Sequence, residues 1–201
     1  MSLRPDLAAI AEMIPRGSRV LDVGCGDGAL LEHLIQTKAV DGRGIELVQQ
    51  NVNACVARGL SVMQGDADTD LNDYPSAAFD VTILSQTIQA TFAPKDVLNQ
   101  LLRIGRRTVI SLPNFGHWKV RLSLLTKGRM PRTRALEFDW YDTPNIHLCT
   151  IADFLSLARS TGAQIERALA LDESGRTRDM RAEAWGPNLF ADGAIFLLKG
   201  K

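Results

Sequence analysis

The residues best suited to chemistry in this chain form a glycine-rich stretch, VLDVGCGDG, at residues 20–28. Its glycines occupy alternate positions, at Gly24, Gly26 and Gly28. Such spacing lets the backbone turn with positive φ and lie against a ligand without a Cβ in the way. The stretch also contains two acids, Asp22 and Asp27. Because these acids would repel a diphosphate, the stretch predicts a ligand that carries positive charge.

The glycine spacing itself fits two cofactors. Gly24, Gly26 and Ala29 match the GxGxxA fingerprint of dinucleotide sites, where NAD places a diphosphate at the turn. S-adenosylmethionine (SAM) instead brings an ammonium, a carboxylate and a sulfonium, so Asp22 and Asp27 favour it over NAD. SAM, or S-adenosylhomocysteine, is therefore the predicted cofactor, and an NAD enzyme is the alternative.

Other polar residues follow the next predicted strands. Glu46 can accept hydrogen bonds from both hydroxyls of a ribose, and Asp66 can accept one from an adenine amino group. Ser85 and Gln86 follow the fourth predicted strand, which lies beside the first, at the expected ligand crevice. The predicted cofactor-binding residues are Asp22, Gly24, Cys25, Gly26, Gly28, Glu46, Leu47, Asp66, Ala67, Ser85 and Gln86.

These residues require a frame of alternating strands and helices, which the hydrophobic pattern predicts. Strands are expected at the start of the glycine stretch and at residues 42–47, 60–64, 79–84, 107–112, 164–171 and 193–199. Helices are expected before the first strand, after the glycine loop and at residues 48–58, 94–103 and 150–160, the last with a Thr150–Asp153 capping box. This alternation predicts a doubly wound α/β fold with a parallel sheet. Residues 1–201 are expected to form a single domain, in which residues 113–149 are an irregular lid.

Composition narrows the class of protein. No stretch approaches the roughly 18 apolar residues needed to cross a bilayer, so no membrane partner is expected. The cysteines Cys25, Cys55 and Cys149 lack the spacing of a disulfide framework or a zinc site. No metal is therefore predicted, and a reducing cytoplasm is the expected compartment.

Basic residues are concentrated in one span, because no acid occurs between Asp96 and Glu137. This predicts one basic face. A nucleic-acid partner is nevertheless disfavoured, because the formal net charge of the whole chain is zero. The basic residues of the span are Arg103, Arg106, Arg107, Lys119, Arg121, Lys127, Arg129, Arg132 and Arg134.

The motifs VLDVGCGDG, GIE, GDA and FDVTILSQ together resemble the class I SAM-dependent methyltransferase family over residues 19–112. The resemblance implies seven strands in the order 3-2-1-4-5-7-6, with strand 7 antiparallel. It also implies that the methionine moiety lies near the glycine stretch, the ribose on Glu46 and the adenine beside Asp66. The N/D-P-P-Y/F turn of enzymes that methylate base amino groups is missing, since Ser85-Gln86-Thr87-Ile88 stands in its place.

The predicted lid contains side chains suited to recognition. The candidates for substrate or partner binding are Asn114, His117, Trp118, Tyr141 and His147. His117 and His147 are also the candidate catalytic residues, as general bases, because imidazole titrates near neutrality. Packing of the lid or of an interface is the alternative for both histidines.

Two runs of residues resemble the MetW family of methionine biosynthesis proteins. The first, SLPNFGHW, begins at the end of the fifth predicted strand, and the second, TPNIHLCT, leads into the predicted helix with the capping box. The similarity covers nearly the whole chain. It implies a bacterial cytoplasmic protein that binds SAM and is an activating partner of a homoserine O-acyltransferase. A SAM-dependent methyltransferase acting on an unidentified small molecule is the alternative.

Overall fold

A computed structural model of the chain describes residues 3–133, 136–181 and 185–200. In these ranges the helices are α1 (Pro5–Met13), α2 (Ala29–Lys38), α3 (Gln49–Ala57), α4 (Pro94–Ile104), α5 (Trp118–Lys127), α6 (Ile151–Thr161) and α7 (Trp185–Phe190). The strands are β1 (Arg19–Val23), β2 (Asp41–Glu46), β3 (Ser61–Gln64), β4 (Phe79–Ser85), β5 (Gly105–Pro113), β6 (Gln164–Leu171), β7 (Thr177–Asp179) and β8 (Gly193–Lys199).

All of the described strands belong to one sheet, in the order β3-β2-β1-β4-β5-β8-β6-β7. Strands β1 to β5 are parallel, and β8 lies antiparallel between β5 and β6. The doubly wound α/β fold and the predicted strand order are confirmed, with β8 in the place of the antiparallel seventh strand. The expected total of seven strands is wrong, because β7 pairs with β6 as an additional edge strand. Its three residues, TRD, have no hydrophobic alternation that would reveal a strand.

Apolar side chains cover both faces of this sheet. Val20 of β1 packs with Ile10 of α1 and Leu34 of α2 on one face. The neighbouring Leu21 points to the other face, into the core that includes Phe154 of α6. Successive residues of β1 thus contribute to the cores on opposite faces of the sheet. Because β1, β2, β4 and β5 pair in parallel, their carboxyl ends meet along one edge of the sheet.

The predicted capping box is confirmed at the start of α6. The Thr150 hydroxyl accepts a hydrogen bond from the Asp153 backbone, and the Asp153 carboxylate accepts one from the Thr150 backbone. Gly162 ends the helix with φ 74°. All three cysteines fall within the described ranges and are free thiols. None of the helices in those ranges combines the length and the apolar character that crossing a membrane requires.

The expectation that residues 113–149 are irregular is wrong for ten of them, which form α5. His117 is the N-cap of this helix, and Gly128 ends it with φ 60°. Val120 is its single buried residue in the described structure, whereas Leu122 and Leu125 are exposed. Sequence patterns identify a helix by a repeated buried face, so a helix that buries one side chain gives little signal.

The prediction of a single basic face is also wrong. Arg106 and Arg107 lie near the start of β5, whereas Lys119 and Arg121 follow its carboxyl end. A strand of nine residues is about 30 Å long. The basic residues at the start of β5 and those that follow it therefore lie at opposite ends of the strands. Arg103 instead donates hydrogen bonds to the carbonyls of residues 71 and 74. The last basic residue of the span, Arg134, lies outside the described residues.

Candidate functional site

The glycine loop connects β1 to α2 and is anchored to β2. The amides of Gly24 and Cys25 donate hydrogen bonds to the Ile45 carbonyl, at 2.8 and 3.2 Å. All three glycines of the loop have positive φ, with 69° at Gly24, 57° at Gly26 and 78° at Gly28. L-amino acids other than glycine rarely adopt this conformation, which explains the glycine spacing.

The three glycines differ in what surrounds them. A Cβ added to Gly28 would lie 2.4 Å from the Leu60 side chain, and one added to Gly24 would lie 2.7 Å from the Thr87 hydroxyl. A Cβ on Gly26 would meet no described atom within 4 Å. The loop is therefore closely packed at its two ends and open at its centre, where the backbone of Gly26 can approach a ligand.

Glu46 holds this loop from the end of β2. One oxygen of its buried carboxylate accepts a hydrogen bond from the Gly26 amide at 2.8 Å, and the other accepts one from the Val48 amide at 2.9 Å. A carboxylate has about four acceptor positions, so capacity remains for the hydroxyls of a ribose. The next residue, Leu47, is exposed. Glu46 consequently has a structural role in the loop, besides the ribose contact predicted from the sequence.

Asp22 is the acid beneath the loop, and its environment is unusual. Its side chain is buried, with the residue 2% exposed, and its Oδ1 has no hydrogen-bond partner among the described residues. Burial, assisted by the nearby charge of Glu46, raises the pKa of this carboxyl from its usual 3.8 to about 7. An unsatisfied buried acceptor costs free energy that a ligand with N–H donors can recover. The ammonium of SAM is such a donor, so the residues present fit the predicted cofactor.

Asp27, the second acid of the loop, has a different environment. It is exposed, it forms an ion pair with Arg58 at 3.2 Å, and it accepts a hydrogen bond from the Ala29 amide at the start of α2. Its charge is therefore already matched within the protein. Of the two acids that favoured SAM over NAD, Asp22 is the one that lacks a cationic partner in the described structure. Cys25, between them in the chain, is buried against Cys55, and burial raises the pKa of its thiol.

The predicted adenine contact, Asp66, lies in a turn after β3. Its Oδ1 accepts a hydrogen bond from the Asp68 amide at 2.9 Å, and its own amide donates to Asp70 at 2.8 Å. Ala67 packs against the core. Sequence reasoning missed Asp68, whose two carboxylate oxygens accept hydrogen bonds from the amides of residues 92 and 93, both at 2.8 Å. Asp68 thereby connects the turn after β3 to the start of α4.

Ser85 and Gln86 follow β4 and are fixed by neighbouring elements. The Ser85 hydroxyl lies 3.0 Å from that of Ser111 in β5, and Gln86 has φ 50°. The Gln86 side chain donates a hydrogen bond to the buried Asp6 of α1 at 3.1 Å, and Asp6 also pairs with Arg4 at 2.8 Å. Sequence reasoning missed Arg4 and Asp6, because Gln86, the partner of Asp6, is 80 residues away in the chain.

A cavity of about 480 Å³ lies beside Gln86, at the carboxyl ends of β4 and β5. Its lining includes Asp6 and Gln89, and Asn145 from the predicted lid. Gln86 is the member of the predicted cofactor set that lines this cavity in the described structure. The cavity therefore adjoins the predicted cofactor site without coinciding with it.

The residues predicted to bind a substrate or partner differ in their exposure. Asn114 is buried, its Nδ2 donates to the Ala191 carbonyl at 2.8 Å, and its Oδ1 accepts from the Gly116 amide at 2.9 Å. This arrangement joins the end of β5 to the segment before β8. Trp118 and Tyr141, by contrast, are exposed. His147 is exposed and lines a second cavity of about 200 Å³.

His117 is buried, and burial lowers its pKa, although the charge of Asp192 opposes this shift. Its Nδ1 accepts a hydrogen bond from the Lys119 amide at 3.3 Å. Ligand atoms of His117, Glu173 and Asp192 lie within 4.8 Å of one another. Since the Lys119 ammonium pairs with Glu173, a cationic group of the chain already contacts this cluster.

Comparison with known proteins identifies relatives. A family model described as methionine biosynthesis protein MetW matches residues 4–198. The bifunctional methionine biosynthesis protein MetXA/MetW of Rhodopirellula baltica is 35% identical over 205 residues, which cover 97% of this chain and 32% of that protein. The chain thus spans about a third of the length of this curated relative.

SAM-dependent methyltransferases are among the solved structures with the same fold. A SAM-dependent methyltransferase from Mesorhizobium loti has a TM-score of 0.71 at 16% identity, over 97% of both chains. A SAM-dependent methyltransferase from Thermotoga maritima, described as a possible histamine N-methyltransferase, has a TM-score of 0.70 at 14% identity, over 98% of this chain and 88% of that one. At such low identity these likenesses show a shared Rossmann-like methyltransferase fold.

Proposed function

The chain belongs to the MetW family of methionine biosynthesis proteins, and from this membership we propose that it binds SAM and activates a homoserine O-acyltransferase as an accessory partner. The proposal has a cofactor part and a partner part. Each is supported by different residues, so each can fail without the other.

The cofactor part depends chiefly on one observation, the buried Asp22 carboxylate whose Oδ1 lacks a partner among the described residues. In the proposed complex, Asp22 accepts hydrogen bonds from the ammonium and the backbone at Gly26 lies against the methionine moiety. Glu46 binds the ribose hydroxyls and Asp66 binds the adenine amino group. The methyltransferase fold shared with the SAM-dependent neighbours supports this assignment.

Calorimetric titration with S-adenosylhomocysteine tests the cofactor part. We expect the wild-type protein to bind, and Asp22→Asn to weaken binding by roughly tenfold or more, since hydrogen bonds to charged groups contribute about 1.5–3 kcal/mol. Asp27→Asn is the matched control, because Asp27 is exposed and paired with Arg58. If the wild-type protein does not bind, or if the Asp27 variant is weakened as much as the Asp22 variant, the assignment is wrong.

The partner part is supported by the relative in which MetXA and MetW share one chain. We take MetXA to be the homoserine O-acyltransferase implied by the family. A surface for such a partner is available on α5 and the segment that follows it, where Leu125 is 84% exposed and Trp140 is 76% exposed. Phe138, Trp140 and Leu148 also line a cavity of about 500 Å³. Exposed apolar groups of this kind are typical of interaction sites.

Measuring the acyltransferase rate with and without this protein tests the partner part. We expect a higher rate with the wild-type protein and a stable complex in size-exclusion chromatography. Leu125→Glu should weaken both effects, because it places a charge in an apolar contact. Val56→Glu, at an exposed position of α3, is the matched control. An unchanged rate together with the absence of a complex would exclude the partner role.

A second candidate function is methyl transfer to a small molecule. The cavity of about 480 Å³ beside Gln86 favours it, because an acceptor bound there would adjoin the cofactor site. SAM supplies an activated methyl group when bound, and the chain would contribute by positioning the acceptor. Transfer of labelled methyl groups from SAM into a cell extract, abolished by Asp22→Asn, would distinguish this function from the accessory role.

A further inference from the structure

Helix α5 presents its apolar side to solvent. Trp118 is 41% exposed, Leu122 47% and Leu125 84%, whereas Val120 is buried. Because residues of an α-helix are about 100° apart around its axis, the three exposed side chains project within a sector of about 60°, and Val120 projects on the opposite side. A surface helix normally turns such a stripe toward its own core. The exposed stripe of Trp118, Leu122 and Leu125 points away from it.

The start of α5 is held in a fixed position. His117 Nδ1 accepts a hydrogen bond from the Lys119 amide at 3.3 Å, and Arg121 Nε donates one to the Gly116 carbonyl at 2.6 Å. The Trp118 ring lies 5.9 Å from the His117 ring and 5.8 Å from the Lys119 ammonium. A side chain that is ordered before binding loses less entropy when a partner covers it. Trp118 is therefore suited to anchor a contact.

The spacing of the exposed stripe is typical of one mode of protein recognition. Its members stand at positions i, i+4 and i+7, the spacing with which an amphipathic helix lays its apolar face in a groove of another protein. From Trp118 to Leu125 the helix advances about 10 Å, or two turns, so a short groove is sufficient. Trp is also among the residue types that contribute most to binding in such interfaces.

The charges of α5 indicate the chemistry of the groove. The helix contains three bases and no acid, and the bases are Lys119, Arg121 and Lys127. Lys119 pairs with Glu173, whereas Lys127 and the following Arg129 form no ion pair with a described residue. Carboxylates on the partner would complement these two cations. A second copy of the chain, packed stripe to stripe, would instead bring bases against bases.

The segment after α5 distinguishes a protein from a membrane as the occupant. Exposed apolar side chains continue there at Phe138, Trp140 and Tyr141, but the acids Glu137 and Asp142 are exposed among them. An anionic membrane surface attracts basic segments and repels these carboxylates. A protein surface can place charges of either sign opposite each group, so the mixed charges favour a protein.

We propose that α5 is a docking helix, whose exposed stripe inserts into an apolar groove of the acyltransferase and whose Lys127 and Arg129 face carboxylates at the rim of that groove. The inference rests on the partner part of the proposed function and adds the mode of contact and the chemistry of the partner's surface.

Calorimetric titration of the full chain with purified homoserine O-acyltransferase from the same organism tests the inference. We expect Trp118→Ala to weaken the complex about thirtyfold, the range of an interface hot spot. Leu122→Ala should weaken it about tenfold, because a buried leucine loses most of its apolar contact. Lys127→Gln should weaken it about threefold, the range of an exposed ion pair.

The helix supplies a matched control for the stripe. Leu124 is 45% exposed, nearly the same as Leu122, but it projects about 160° away from Leu122. Leu124→Ala should therefore leave the affinity within about twofold of wild type. Lys95→Gln, at an exposed position of α4, is the control for Lys127→Gln. Thermal melting checks the fold of each variant, and if Trp118→Ala disturbs it, the two leucine variants still decide the test.

Failure of the docking helix and failure of the partner role give different results. A complex that Leu122→Ala and Leu124→Ala weaken equally, or that neither weakens, overturns the docking helix and leaves the partner role intact. No complex and no change in acyltransferase rate with the wild-type protein refutes the partner role, and the docking helix with it. If the wild-type protein instead dimerises or binds phosphatidylglycerol vesicles, and Leu122→Ala abolishes this, the stripe has a different occupant and the inference is wrong.

Discussion

Replacing Asp22 by asparagine should stabilise the protein in a pH-dependent way. The pKa of the buried carboxyl rises from 3.8 to about 7, so the folded protein favours the protonated form. The stability that protonated Asp22 contributes is fully present below pH 3.8 and is lost as pH rises through about 7. Ionisation of Asp22 therefore lowers the free energy of unfolding of the wild-type protein increasingly over this pH window, and Asp22→Asn has no such loss.

The magnitude follows from the same pKa values. A pKa difference of this size corresponds to about 4 kcal/mol well above pH 7. Between pH 5 and pH 8 the advantage of Asp22→Asn over the wild-type protein should grow by about 2.5 kcal/mol. An asparagine amide without an acceptor has its own cost, but that cost does not depend on pH. The change with pH is consequently the informative quantity.

Urea denaturation at both pH values measures this change. Asp80→Asn is a control for pH dependence, because hydrogen bonds from Arg19 lower the pKa of the Asp80 carboxyl. The stability contributed by ionised Asp80 is present above its ordinary pKa and is lost only as pH falls below it. The free energy of unfolding of Asp80→Asn should therefore differ from that of the wild-type protein by nearly the same amount at pH 5 and at pH 8. If the free energies of unfolding of wild type and Asp22→Asn run parallel from pH 5 to pH 8, the reasoning about Asp22 is refuted.

Cofactor binding should show the same titration. An ammonium beside Asp22 favours the ionised carboxyl, so binding of S-adenosylhomocysteine should tighten about tenfold from pH 6 to pH 8 and should release a proton near pH 6. In Asp22→Asn this dependence should disappear. A wild-type affinity that is flat over this range would show that the ammonium does not contact Asp22.

Three further predictions concern the frame of the site. Gly28→Ala should lower the free energy of unfolding by more than about 2 kcal/mol, because a Cβ at this position, with φ 78°, would lie 2.4 Å from Leu60. Gly26→Ala should lower it by about 1–2 kcal/mol and should mainly weaken binding of S-adenosylhomocysteine. Urea denaturation measures the stability of both variants, and calorimetry measures their binding. Asp68→Ala should cost about 2 kcal/mol, because two amides at the start of α4 lose their acceptor, and thermal melting beside Asp73→Ala checks it. Thr150→Ala should cost about 1 kcal/mol through loss of the capping box, with Thr126→Ala in the exposed part of α5 as the control.

The sequence was most informative where a local pattern is sufficient. Strands β1 to β5 and the cap of α6 were predicted because hydrophobic period, glycine turns and a Thr150–Asp153 pair are all local signals. Helix α5 was not, since it buries only Val120 among the described residues. The contacts of Asp6 and Asp68 were missed for another reason: each joins segments more than 20 residues apart, which no local pattern encodes.

The two carboxylates of the cofactor site differ in what a mutation there can reveal. Glu46 accepts hydrogen bonds from the Gly26 and Val48 amides, so its removal frees two loop amides and would weaken binding even if Glu46 never contacted a ribose. Asp22 Oδ1 accepts no hydrogen bond from the described residues, and the buried charge of this carboxylate destabilises the folded protein. A residue that costs stability and supports no neighbouring amide is best explained by a ligand. Asp22 is therefore the position at which loss of cofactor binding, combined with a gain in stability, separates a binding role from a structural one.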